Sequence, residues 1–308
     1  MKIFYKNSNG LVPCKNWEPN CWVHVEKPTD EDVKYLVDEL KMPIPFYNDI
    51  EDVDERPRIE LEDGWTFIII RIPHKIENNN VPFSTVPLGI IFKGEVFISI
   101  CFYSTEMITD FAQYTIRKNI EKNNNFDFVL RLLLSSSVWF LKYLKQINND
   151  INSAEKKLEN SIRNQELQTM LKIEKCLVYF TTSLRGNDVL AHRIKNYKDL
   201  RKACDPELVE DVEIELRQAL ETTKIYSDIL SGLMDAYASV ISNNVNEIMK
   251  QLTSISIILM IPTLIASMYG MNVHNNLEEA RYGFWIVLFI SFMLSGLGVV
   301  LFRRKNWF

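Results

Sequence analysis

The chain has 308 residues, 24% of them charged, with a formal net charge of −5. That acidic balance argues against a nucleic-acid partner and suits divalent cations. Cys14, Cys21, Cys101, Cys176 and Cys204 show no Cys-x-x-Cys spacing, so free thiols are expected rather than a metal or disulfide framework.

Residues 1–125 read as an α/β domain. Met1–Asn20 lacks an apolar core, so no cleavable signal peptide is expected. Lys2–Tyr5 and Cys21–Val25 are short strands. Thr29 caps a helix from Asp30 to about Lys41, with Val33, Leu36, Val37 and Leu40 on one face. A short acidic helix follows from Ile44 to about Asp52. Arg58–Leu61, Trp65–Ile72, Thr85–Phe92 and Val96–Phe102 read as strands, separated by turn signals at Gly64, Asn78-Asn79-Asn80 and Lys93-Gly94. The sum is a sheet of at least four strands carrying helices. From Thr105 the pattern turns helical, with a first helix ending near Asn123-Asn124-Asn125.

Residues 126–204 read as a helical bundle. One helix runs from Asp127 to about Arg163 and buries Leu130, Leu133, Leu134, Leu141, Leu144 and Ile151. A second runs from about Gln165 to Lys202. Enzyme signatures are absent: there is no Gly-rich phosphate loop, no Gly-x-Ser-x-Gly and no His-Glu-x-x-His. His24, His74, His192 and His274 are scattered, which fits core or surface positions. No organic cofactor is expected.

Residues 205–250 read as a stalk helix, with Asp205 as N-cap, Pro206 in the first turn, and Glu207 and Glu210 at its positive end. The pattern continues into a long uncharged run. No formally charged residue lies between Lys250 and Glu278, or between Arg281 and Arg303. Roughly 20 apolar residues cross a bilayer core of about 30 Å, and lipid admits only helices or closed barrels. Two transmembrane helices are therefore expected, at 251–270 and 282–302, joined by an outer loop at 271–281. At about 1.5 Å per residue, a helix from Pro206 to Met268 would be on the order of 90 Å long. The basic tail, 303–308, carries Arg303, Arg304 and Lys305, whereas the loop has Glu278, Glu279 and one cation, Arg281. Cationic flanks stay inside, so both termini are expected in the cytoplasm.

One stripe of the long helix reads Asp235, Ser239, Ser242, Asn246, Met249, Thr253, Ser256, Met260, Thr263 and Ser267. Its steps alternate between four and three residues, so these side chains share a face. Small polar residues let membrane helices pack closely. Alternatively, the stripe lines a water-filled pore made by several copies. Its unbroken phase down to Asp235 favours the pore, because a ring of repeated carboxylates is costly unless a cation passes through it.

Tyr269-Gly270-Met271-Asn272 resembles the signature of the CorA-type magnesium channels. The stretch from Asn246 to Thr253 resembles that family's entry to the first span. Arg303-Arg304-Lys305-Asn306-Trp307-Phe308 resembles its basic, aromatic-ended tail, and Asp54–Glu60 a segment of its cytoplasmic domain. Departures are the loop sequence Asn275-Asn276-Leu277-Glu278, which lacks the usual Met-Pro before the acid, and Pro262, one residue later than the family's proline. The resemblance implies a funnel-shaped homo-oligomer, most simply a pentamer, in the cell (inner or plasma) membrane. It implies an Mg²⁺ influx channel, with Co²⁺ and Ni²⁺ as further cargoes, whose filter is Tyr269 to Asn272. Glu278 and Glu279 would gather cations at the mouth. Met249, Leu252 and Met260 resemble the family's hydrophobic constriction. Asp49 and Asp211 resemble its intersubunit regulatory Mg²⁺ pair. A zinc transporter of the same superfamily is the nearest alternative, and a non-conducting metal-sensing receptor is the second.

Overall fold

The structure, a computed structural model, describes residues 2–7, 10–76, 81–122, 124–160, 164–196, 204–271, 281–305 and 307. It divides into two compact units, Met1–Gly232 and Leu233–Phe308.

The first unit is built on a seven-stranded sheet. Its strands are β1 (Lys2–Asn7), β2 (Leu11–Cys14), β3 (Trp22–Glu26), β4 (Arg58–Glu62), β5 (Trp65–Lys75), β6 (Phe83–Lys93) and β7 (Val96–Cys101), in the order β2-β1-β3-β7-β6-β5-β4. Only β3 and β7 pair in parallel; the other neighbours are antiparallel. Phe67 to Ile70 are all buried because helices cover both faces of the sheet. On one face, α1 (Asp30–Lys34) and α2 (Ile44–Glu51), with the turn between them, place Leu36, Leu40, Phe46 and Ile50 on Val23, Phe67, Ile69 and Ile98. Each such side chain contributes about 1.5–3 kcal/mol relative to exposure. On the other face, α3 (Glu106–Arg117) and α4 (Asn125–Asn160) pack Phe111 and Phe128 against Trp22 and Phe97, and α5 (Asn164–Asn196) packs Phe180 against Phe83.

Three details depart from the sequence reading. The strand β2 contains Pro13, which cannot donate to a ladder, and it lies at the sheet edge where that omission costs least. The helix expected to reach Lys41 keeps its Thr29–Asp32 capping box but widens after Lys34 into a π-helical turn, Tyr35–Glu39. That wider turn buries Leu36, Leu40 and Met42 together. Helix α3 ends at Arg117, where Asn119 takes a left-handed conformation (φ 50°) that stops propagation.

Arg71 of β5 lies two residues beyond Ile69, the last residue that β4 pairs with. Asn187 of α5, fully buried, bonds the Arg71 backbone instead: its Nδ2 donates to the Arg71 carbonyl at 2.7 Å and its Oδ1 accepts from the Arg71 N–H at 2.9 Å. The Arg71 guanidinium then donates to the Thr85 carbonyl and hydroxyl, and to the backbone carbonyls of Val53 and Glu55. It thereby fixes the loop that leaves α2. Gly186 lets α5 meet this loop, since a Cβ there would lie 2.8 Å from the ring of Pro57.

The long helix α6 (Pro206–Tyr269, 64 residues) belongs to both units. In the first it buries Leu208, Val212, Leu216, Ala219 and Thr223, one stripe at helical spacing. In the second it lies beside α7 (Gly283–Arg304). Both helices are long and apolar enough to cross a membrane. The five cysteines are free, and burial pushes Cys101 up to about 12 and Cys176 and Cys204 to about 11, so these three are protonated and inert at neutral pH.

Candidate functional site

Beyond Gly232, α6 presents two faces. One packs against α7 and uses small residues for close approach. Ser254 is fully buried there, and Ser291 and Gly298 of α7 are buried too. A Cβ on Gly298 would sit 3.6 Å from Ile258 and Ile261. Pro262 has no N–H, so the Ile258 carbonyl one turn earlier loses its helical donor. Ser295 of α7 donates its hydroxyl to that carbonyl at 3.4 Å.

The other face is the polar stripe. Asp235, Ser239, Ser242, Asn246, Met249, Thr253, Ser256, Met260, Thr263 and Ser267 are all exposed. At about 100° per residue, the part of the stripe from Met249 to Ser267 is centred about 150° from the Ser254–Ile258–Ile261 face. Small residues therefore serve two separate purposes on this helix, and those of the stripe do not pack the hairpin. Ser239, Thr253, Ser256 and Thr263 donate their hydroxyls to carbonyls one turn earlier, at 2.7–3.0 Å. With the proton turned inward, each hydroxyl oxygen presents lone pairs outward, as an acceptor surface. Met249 and Met260 add exposed apolar side chains within the stripe, and Leu252 adds one at its edge, about 60° from its centre on the side of Leu259.

At the end of α6, the Gly270 N–H closes the last turn on the Ala266 carbonyl at 2.9 Å. Tyr269 is half-buried and, with Pro262, Phe284 and Ser291, lines a cavity of about 260 Å³ between the two helices. Met271 is exposed. Asn272, Glu278 and Glu279 lie outside the described residues.

The two acids that the sequence reading pairs, Asp49 and Asp211, sit on different elements. Asp49, on α2, is half-buried and accepts from Arg58 Nη2 at 2.7 Å. Arg58 also binds Glu60 at 2.7 Å through Nε, and Glu55 through Nη1. Asp211 is exposed on α6. Among the described residues of this single chain, no three His, Cys, Asp or Glu side chains form a metal-binding group. The sequence reading missed Arg58 as Asp49's partner and Ser254 and Ser295 as packing and bonding residues. Ser254 did carry a signal, since it falls out of phase with the stripe.

The profile of the family described as CorA-like Mg²⁺ transporter protein matches residues 17–304. The chain belongs to this family. It is similar to the cobalt/magnesium transport protein CorA of Methanocaldococcus jannaschii, 26% identical over 291 residues, covering 93% of this chain and 90% of that protein. It is also similar to the cobalt/magnesium transport protein CorA of Thermotoga maritima, 26% identical over 314 residues, covering 96% and 86%. The complete structure of the M. jannaschii CorA magnesium transporter superimposes with a TM-score of 0.84 at 23% identity, covering 100% of this chain and 99% of that one, so the fold is shared along the whole length. Family members are ion transporters in membranes and not enzymes, and α6 and α7 fit a two-span topology.

Proposed function

We propose that the chain admits Mg²⁺ to the cell down the membrane potential, through a pore lined by the exposed stripe of α6 from several copies. The observation that carries this reading is the position of the stripe. Its acceptor-bearing residues face away from α7, so α7 can meet lipid while the stripe turns to a common axis. The names of the two relatives support Mg²⁺ as cargo and add Co²⁺; Ni²⁺ belongs to the same proposal. One helix cannot enclose a pore, and a closed ring of copies, most simply a pentamer, does so.

Mg²⁺ gives up its waters reluctantly, so a filter of uncharged oxygens would recognise the hydrated ion. Asn272 would supply the amide, with Gly270 allowing the chain to turn, Met271 beside it and Tyr269 bracing the end. Glu278 and Glu279 would concentrate cations outside, a screened and modest effect. Met260, Leu252 and Met249 would form the gate by dewetting, and Asn246 and Asp235 would receive the ion on the cytoplasmic side. Both termini would lie in the cytoplasm, the side that the basic tail favours. A divalent cation crossing an inside-negative membrane gains roughly 4.6 kcal/mol per 100 mV, so influx requires no nucleotide. Asp49 of one subunit and Asp211 of the next would share a regulatory Mg²⁺ that holds the ring closed.

Flux of Mg²⁺, Co²⁺, Ni²⁺ and Zn²⁺ in the same liposomes, with and without a pH gradient, tests the reading. Mg²⁺ entry driven by voltage alone is expected. Proton-dependent Zn²⁺ flux without Mg²⁺ flux would instead make the chain a zinc transporter, and silence of an assembled oligomer towards every ion would make it a receptor.

A further inference from the structure

Between α6 and α7, towards the Arg303 end, an open groove of about 460 Å³ is lined by Ile255, Ile258, Leu259, Val299 and Arg303. Four of these five residues are aliphatic, and the fifth is a guanidinium at the rim. Ile255 and Leu259 lie about 100° around α6 from the polar stripe at about 100° per residue, so the groove opens on the flank of the hairpin. Gly296 continues the same face of α7 at helical spacing with Val299 and Arg303, and nothing lies within 4 Å of where its Cβ would be. Arg303 is the first charge after an uncharged stretch that begins at Tyr282, which sets it at the depth of lipid headgroups. Below it Trp307 folds back, its N–H donating to the Phe302 carbonyl at 3.1 Å and its ring stacking on Phe302 at 5.5 Å, an aromatic pair suited to the interface.

We propose that this groove binds one anionic phospholipid, an acyl chain lying along Ile255, Leu259 and Val299 while Arg303 engages the phosphate. Charge complementarity selects this occupant over a second copy of the chain. From Lys250 to Glu278, and throughout α7, there is no acidic side chain, so a neighbouring hairpin inserted at this depth brings no carboxylate to Arg303. An anionic lipid supplies both an apolar chain for the walls and phosphate oxygens for a planar, forked donor. The proposal rests on the spans crossing a membrane and not on which cation is carried.

The test uses the full chain in mild detergent, exposed to equal amounts of phosphatidylglycerol and phosphatidylcholine with identical acyl chains, with retained lipid counted by native mass spectrometry. Both lipids offer Arg303 a phosphate, but only phosphatidylcholine brings a cation beside it, so wild type should prefer phosphatidylglycerol by about tenfold. Arg303→Gln should erase the preference, while Arg304→Gln, one residue further round the helix, should keep it. Val299→Trp, which fills the groove with the basic tail intact, should lower retention of both lipids. Equal retention of the two lipids by wild type would overturn the site, as would equal loss in the two arginine variants, the mark of diffuse attraction to the tail. Disulfide cross-linking of Val299→Cys between copies, with neither lipid retained, would assign the groove to a neighbouring subunit and overturn it as well.

Discussion

Ser295 donates its hydroxyl to the carbonyl of Ile258, the acceptor that Pro262 leaves without a helical partner, at 3.4 Å. A proline within a membrane helix is tolerated where a neighbour satisfies the freed carbonyl, and α7 performs that service here. Ser295→Ala is expected to destabilise the assembled protein by about 0.6 kcal/mol, in the range of membrane hydrogen bonds. In a Pro262→Ala background, where the helical bond is restored, the same serine substitution should cost nothing. A double-mutant cycle on unfolding in detergent measures this coupling, and equal costs in both backgrounds would show the bond to be incidental.

Asn272→Ala tests the proposed filter. It removes one amide per subunit and leaves the packing face of α6, centred on Ser254 and Ile258, intact. Oligomer size on gel filtration should be unchanged and Mg²⁺ flux should fall by at least about tenfold, the kinetic equivalent of about 1.4 kcal/mol. Undiminished flux would move selection elsewhere.

The pairing of Asp49 with Arg58 bears on regulation. A divalent cation bound between Asp49 and Asp211 would compete with a guanidinium already 2.7 Å from Asp49. Arg58→Gln should therefore lower the Mg²⁺ concentration that protects the soluble region from protease, whereas Asp49→Asn with Asp211→Asn should abolish that protection. Protection titrations of the three proteins give the answer; wild-type behaviour in the double variant would remove the acids from any sensor role.

The fourth prediction concerns pH. His24 is buried, with Nδ1 2.8 Å from the Ser99 hydroxyl, while Trp22 Nε1 donates to the same oxygen at 2.7 Å. Tryptophan only donates, so it occupies one lone pair of Ser99, and the hydroxyl bonds Nδ1 of a neutral imidazole in the direction the tautomer sets. Burial lowers the His24 pKa to about 3, whereas an unfolded histidine titrates near 6.5. Below about pH 6.5 the unfolded chain takes up a proton that the native chain refuses. Stability should then decline towards pH 3 at about 1.4 kcal/mol per pH unit. Tryptophan-fluorescence melts from pH 7 to 5 should show this decline, and His24→Gln should flatten it. An identical slope in the variant would assign the acid sensitivity to other groups.

What was legible in the sequence follows from the range of the forces involved. The uncharged runs after Lys250 and Arg281 mark the apolar helices because length and charge are local properties. The stripe from Asp235 to Ser267 is visible as a period. The strands around Phe67–Ile70 and Ile90–Ile91 stand out because a sheet covered on both faces needs continuous apolar runs. By contrast, Asn187 satisfies Arg71 from 116 positions away, and Ser295 reaches Ile258 across 37. No local pattern announces either bond. The π-helical turn at Tyr35–Glu39 escaped for a related reason: core packing of Leu36, Leu40 and Met42 overrides a helical period that looks regular. In the candidate site, the stripe could be read, but which face of α6 meets α7 depended on Gly298 and Ser295, residues of another helix.

The stripe of α6 stays on one face from Asp235 to Ser267 only while the helix between them keeps its length. Adding one residue between Asn246 and Met249 would turn everything downstream by about 100°, setting Asp235 and Ser239 out of line with Thr253 and Ser256. Adding seven would return the helix almost to its starting angle, about 20° short of two full turns. This stretch should therefore accept changes of length in sevens and reject single steps, a grammar imposed on homologues and on any engineered chimera alike.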